Sequence, residues 1–208
     1  MSIIVHHLEN SRSQRILWML EELELPYAVK RYERNKKTML APLELRQIHP
    51  LGKSPVIEDG GVVIAETGAI VEYLLEKAEG RLAPPPHRDA ILRHRFFLHY
   101  AEGSLMPPLL VMLVLGRVPL FGKRAQARIQ PMIDTHLDYL ERELVGRDWF
   151  VGDSLTAADV IMSFPLEAAR GRAGLDASRP NLTAWLARIH ARPAYQRALK
   201  KGGPYAYA

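Results

Sequence analysis

The chain has 208 residues, 28 Lys and Arg against 23 Asp and Glu, 48% hydrophobic and 25% charged residues, and no cysteine. That balance excludes a disordered or fibrous chain, and the missing cysteine excludes disulfides, thiolate metal ligands and redox chemistry carried by the protein's own thiol. The formal charge of +5 is spread among acidic residues, and its one dense run, Lys30–Lys37 (KRYERNKK), reads as a solvated loop, so nucleic acid is not an expected partner. The opening MSIIVHHLENSRSQR has no basic segment followed by an apolar core. With no run that reads as a membrane span, the expectation is a cytoplasmic protein without a membrane partner.

In chain order, Ile3-Ile4-Val5 is a short buried-strand run, and Asn10-Ser11 supplies cap-type residues before a segment with Ile16, Leu20 and Leu23 on one helical face. Leu25-Pro26 ends that helix. Tyr27–Tyr32 has strand composition and lies close enough for a right-handed crossover to a parallel neighbour. Residues 34–50 carry a weaker pattern, with a helical turn near Leu43–Leu45 and a connection at His49–Gly52.

Gly52–Gly68, GKSPVIEDGGVVIAETG, holds three structural instructions. Ser54-Pro55 keeps Ser54 out of the helical region and withholds an N–H from the next rung. Pro55–Glu58 and Val62–Ala65 are β-prone, and Asp59-Gly60-Gly61 between them tolerates positive φ, which predicts a hairpin. Glu66-Thr67-Gly68 then opens an apolar helical pattern that ends near Gly80, with Thr67 placed to cap backbone N–H groups where an anion is welcome.

Arg81–Pro86, RLAPPP, is the clearest boundary, because three successive prolines favour a stiff extended link. The expected division is a first domain over 1–80, a linker over 81–87 and an all-α domain over 88–208, with helices at 88–115, 123–145, 156–170, 180–191 and 193–201. Ile129, Ile133, Leu137, Leu140 and Leu144 recur at helical spacing. Thr156-Ala157-Ala158-Asp159 has the form of a capping box, a device of stability. His6 and His7, adjacent on a strand, point to opposite faces and cannot serve one site together.

Asn10-Ser11-Arg12-Ser13-Gln14-Arg15, Gly52-Lys53-Ser54-Pro55-Val56-Ile57, Glu66-Thr67-Gly68-Ala69-Ile70 and Thr156-Ala157-Ala158-Asp159 occur in this order with a Pro-rich link. Together with the β-α-β-α-β-β-α order they resemble the glutathione S-transferase family, in a serine- or asparagine-type branch, theta-like or related. The resemblance implies a thioredoxin-like α/β domain followed by a helical domain, glutathione as co-substrate, no metal, a small hydrophobic electrophile and a homodimer. It implies that the Ser54 backbone, ahead of Pro55, pairs with the cysteinyl part of glutathione as an added strand does. It also implies that Thr67 and Glu66 hold the γ-glutamyl carboxylate and ammonium, that Lys53 reaches toward the ligand and that Glu102 completes the partner subunit's site.

Family members commonly carry a tyrosine on the first strand; here the neighbourhood holds His6 and His7 instead. Ser11, four residues before Arg15, matches the serine-type spacing, and Asn10 is the rival donor to the thiolate. Met106, Leu109 and Met112 fall where the resemblance places the electrophile pocket, though core packing explains them equally. A glutathione-dependent isomerase or peroxidase uses the same thiolate, and a non-catalytic docking module shares the frame, so both stand as alternatives.

Overall fold

The computed structural model describes residues 2–208. β1 (Ile3–Leu8) and β2 (Tyr27–Tyr32) run parallel from the pair Ile3–Tyr27 to Leu8–Tyr32, and α1 (Ser13–Glu22) makes the crossover between them. β3 (Val56–Asp59) lies antiparallel to β1 and to β4 (Val62–Ala65), giving the order β2-β1-β3-β4. The hairpin closes through Gly60 and Gly61 at φ 57° and 87°, a left-handed pair that residues with a Cβ adopt only at a cost. α2 (Leu45–Ile48) is a single turn, and α3 (Thr67–Lys77) follows β4.

The described residues form two compact units, one reaching to Ala83 and taking in His190–Ala206 and Ala208, the other spanning Pro84–Ile189 with Tyr207. In the first, α1 packs on β1, α3 and α9 (Pro193–Gly202). Its expected buried face is Ile16, Leu20 and Leu23; Leu17, Trp18 and Met19 are buried as well, because α9 covers a second side. Trp18 meets the Tyr195 ring edge-on at 5.4 Å. Arg197 and the Tyr27 hydroxyl donate to the Glu21 carboxylate, and Arg192 donates from Nε and Nη2 to Glu22. A smaller apolar group, Leu8, Tyr32, Leu45 and Ala41, is built on α2 and the ends of β1 and β2.

The second unit is helical, with α4 (Arg88–Tyr100), α5 (Met106–Leu115), α6 (Gly122–Glu143), α7 (Ala157–Arg172) and most of α8 (Pro180–His190). Where one helix is predicted over 88–115, Ala101–Leu105 is a π-helical turn. Pro107 and Pro108 lack the N–H groups that carbonyls one turn earlier would use, so the ladder loosens ahead of them. By length and composition Arg88–Leu115 could cross a bilayer. Yet Phe97, Leu98, Leu105, Leu109 and Met112 are buried in this unit, as the core helix of a globular domain requires.

At the start of α7 the predicted capping box is present and extended. Asp159 accepts from the Thr156 N–H and hydroxyl, the Phe150 N–H and the Trp185 indole. Every residue from Ala157 to Ala169 is buried, which makes α7 the axis of this unit. Phe150 joins it to Phe97 and Trp185 at ring separations of 4.8 and 5.1 Å.

Candidate active site

The first unit gathers its chemistry where β1 ends, β3 begins and α1 and α3 start. After Leu8 the chain turns through Asn10, whose φ of 49° is one asparagine tolerates, and reaches Ser11, 5% exposed. The Ser11 Oγ accepts the Ser13 N–H at 3.2 Å, so it serves one free donor of the helix start. It also lies 2.7 Å from the Ser13 Oγ, which is 2.8 Å from the His7 Nδ1. Asn10 is engaged differently: its Oδ1 accepts the Ala206 N–H at 2.8 Å.

Ser54 is tied to the same end of the sheet. Its hydroxyl donates to the His6 carbonyl at 2.8 Å and accepts the Leu8 N–H at 3.2 Å. The Ser54–Pro55 peptide is cis, and Pro55 is buried behind it. Thr67, 5% exposed, opens α3, and Arg15 on α1 donates to its Oγ1 at 3.3 Å, which fastens the two helix starts together. Glu66 precedes it at φ 69° with its side chain exposed. A non-glycine residue held there carries about 1–3 kcal/mol of backbone strain, of the kind that clusters at ligand clamps. Lys53 is exposed on the approach to Ser54.

Ser11, Ser54, Pro55, Glu66, Thr67, Lys53 and Asn10 therefore all belong to one unit and border the same end of one sheet. Glu102 belongs to the other, half-buried on the π-helical turn. Met106, Leu109 and Met112 are buried within α5.

His6 and His7 take opposite faces, as strand alternation requires. On one face His6 bonds the Tyr32 hydroxyl at 2.8 Å and Glu58 at 2.6 Å. On the other, His7 is bonded to Ser13 and to the Gly202 backbone. Burial, reinforced by the Arg31 charge, pushes the His7 pKa down to about 4, with the Gly202 bond acting the other way. Sequence reasoning did not anticipate the bonded line from Ser11 through Ser13 to His7. The available signal was Ser11-x-Ser13 following a strand histidine, but only α9 shows where the far side of that histidine goes. Among the described residues no group of three or more His, Asp and Glu is arranged to hold a metal ion.

A mixed four-stranded sheet with a cis-proline loop beside two helix starts, continued by a helical unit, is a thioredoxin-like domain followed by an all-α domain. Residues 2–76 match the glutathione S-transferase N-terminal domain and residues 105–193 the C-terminal domain. Glutathione S-transferase 3 of Schizosaccharomyces pombe is 35% identical over 96% of this chain and 87% of its own length. Glutathione S-transferase 1 of Saccharomyces cerevisiae is 32% identical over 96% and 94%. A crystal structure of a glutathione S-transferase from Actinobacillus pleuropneumoniae superposes with a TM-score of 0.88 at 36% identity, covering 99% of this chain and 95% of that one. The chain belongs to the glutathione S-transferase family and is a transferase that uses glutathione as its co-substrate.

Proposed function

We propose that this transferase holds glutathione at the shared end of β1, β3, α1 and α3, converts it to the thiolate beside Ser11 and adds it to a small hydrophobic electrophile. The observation that carries this reading is Ser11 itself, a buried hydroxyl at a helix start, at the same end of the sheet as the Ser54-Pro55 loop that is pinned to β1. In it the Ser54 backbone pairs with the cysteinyl residue, Thr67 and the first turn of α3 take the γ-glutamyl carboxylate, Glu66 the ammonium, and Lys53 the remaining carboxylate.

The energetics suffice. A free thiol titrates near ~8.5, so a mostly ionised thiol at neutral pH requires about 2.7 kcal/mol of preferential stabilisation. A hydrogen bond to a charged acceptor contributes about 1.5–3 kcal/mol and a helix N-terminus about 0.3–1 kcal/mol. Asn10 is the second reading: its Oδ1 accepts the Ala206 N–H, which leaves its amide N–H groups as the donors it could offer the thiolate. The test is the thiolate absorbance of bound glutathione against pH in the wild type, Ser11→Ala and Asn10→Ala. Only Ser11→Ala is expected to move the titration upward; movement in Asn10→Ala alone transfers the role to Asn10.

The dimer belongs to the same proposal: a homodimer, in the cytoplasm, in which Glu102 approaches the partner's glutathione ammonium. Glu102→Gln should then weaken glutathione binding without lowering the melting temperature. Unchanged affinity, or a monomer by sedimentation, rejects it.

A further inference from the structure

No residue of α5 has a polar side chain, yet only part of the helix is buried. Met106, Leu109 and Met112 are in the core of the helical unit, while Pro107, Leu110, Val111 and Val114, at the i, i+3, i+4 and i+7 spacing of one stripe, are exposed. The stripe leads into the turn between α5 and α6, where Leu120 and Phe121 are 95% and 70% exposed. Leu120 is held at φ 64°, a left-handed conformation that leucine adopts only at a cost. The turn is closed rather than loose. A Cβ added at Gly122 would collide with the Leu115 carbonyl, the Gly122 N–H donates to the Val118 carbonyl at 3.2 Å, and Gln126 of α6 donates to the Met112 carbonyl at 2.9 Å. Two large apolar side chains therefore stand on a firm, protruding tip.

Charge singles out the same region. From Gly103 to Ile133 the sequence has no aspartate or glutamate and four basic residues, Arg117, Lys123, Arg124 and Arg128. All four are exposed, and among the described residues none of them is in an ion pair. Lys123 and Arg124 fall in the first turn of α6, where cations oppose the helix dipole, so their placement does nothing for the helix itself.

We propose that this tip docks on the surface of an anionic phospholipid bilayer. Leu120 and Phe121 enter the boundary between headgroups and acyl chains, the α5 stripe extends the apolar contact, and the basic residues that flank the tip in sequence meet the lipid phosphates. A bilayer suits the region better than a protein face does. A protruding apolar tip enters a fluid boundary without a matching hollow, and the acid-free stretch removes the groups that headgroup phosphates repel. The expectation of no membrane partner rests on the absence of a spanning run, and a surface that lies on the headgroups needs none. Anionic lipids line the cytoplasmic leaflet, so docking is compatible with a cytoplasmic protein. The inference is independent of which group steadies the thiolate.

The test is co-sedimentation of the full chain with vesicles of phosphatidylcholine alone or of equal parts phosphatidylcholine and phosphatidylserine. The chain should bind the mixed vesicles, release as salt is raised, and leave the phosphatidylcholine vesicles largely unbound. Leu120→Asn with Phe121→Ser should lower the vesicle partition by about ten-fold or more, and Lys123→Glu with Arg124→Glu by a similar factor. Asparagine tolerates the backbone at position 120 better than leucine, so thermal melts should show the first pair folded. In a third variant, Phe121→Trp, bromine-labelled acyl chains should quench the new tryptophan, since Trp18, Trp149 and Trp185 are all buried. Failure to sediment with mixed vesicles at low salt overturns the inference, as does equal binding to phosphatidylcholine alone. Should the Leu120 and Phe121 pair leave vesicle binding unchanged but reduce the size of the species in sedimentation, the tip is a contact between copies of this chain and the bilayer assignment falls.

Discussion

At the start of α7, Thr156 and Asp159 form a closed set in which one carboxylate accepts four donors from Thr156, Phe150 and Trp185, all of them buried. At the start of α1, Ser11 and Ser13 are equally buried, but their hydroxyls form a line from Ser11 through Ser13 to the His7 Nδ1, with the Leu8 carbonyl as a further acceptor for Ser13. The residue types are nearly the same. The difference is hydrogen supply: a carboxylate satisfies many donors without reorganising, whereas each hydroxyl in a row can donate in one direction or another and can turn when a ligand changes what one end must bond. The first arrangement suits stability and the second suits chemistry.

The largest effect expected is on the closed set. Asp159→Ala strands buried donors on Thr156, Phe150 and Trp185, each worth about 1–3 kcal/mol, so stability should fall by about 4 kcal/mol or more. The thiolate titration of whatever remains folded should not move. A denaturant midpoint within experimental error of the wild type would break the comparison at its structural end.

Acid should separate the two regions next, because their titrations have opposite signs. Burial pushes Asp159 from 3.8 up to about 6, opposed by its donors, so its contribution is complete below pH 3.8 and is lost as pH rises through 6. His7 is pushed from 6.5 down to about 4, so its contribution is present above pH 6.5 and is lost as pH falls through 4. Each spans about 3 kcal/mol. His94 on α4 behaves as His7 does, lowered to about 4 by burial and then by Arg95. Two histidines against one aspartate should make the midpoint fall from pH 7 to pH 4. His94→Gln should make that fall markedly smaller; a wild type that gains stability on acidification would contradict the assignment.

Ser11→Ala should lower turnover near neutrality by about ten- to a hundred-fold, with a thiol pKa higher by about one to two units and a loss of about 1 kcal/mol from the helix start. Glutathione affinity should change little if, as proposed, Ser54, Glu66 and Thr67 hold the rest of the tripeptide. Smaller still is Glu21→Gln, which weakens the bond from Arg197 and the Lys201 ion pair, their partners half exposed. About 1 kcal/mol of stability should go, with no shift in the thiol titration. A shift there would mean that these charges act on the start of α1 through the helix that carries Glu21.

Much of the first unit was legible because its signals are local. Pro55, the Asp59-Gly60-Gly61 turn and the strand alternation that parts His6 from His7 all act within a few residues. The capping box at Thr156–Asp159 was legible for the same reason. The π-helical turn was missed because the pattern of Arg88–Leu115 is apolar throughout, and only the missing N–H groups of Pro107 and Pro108 disturb it. The buried setting of His7 was not legible because its far side is closed by Gly202 of α9, far along the chain, and periodicity carries no record of which helix covers a strand.

Gly202 also orders events on the ribosome. Pro84–Ile189 is a continuous stretch and can fold as soon as it emerges, while the unit containing Ser11 is assembled from two separated stretches and waits for residues near 202. Until α9 arrives, His7 has no carbonyl on its far side, Trp18 has no Tyr195, and Glu21 and Glu22 have no arginines. The nascent protein therefore carries a helical body short only of Tyr207 while its first unit still lacks α9, and a chain released early would be folded in most of its second unit and open in its first.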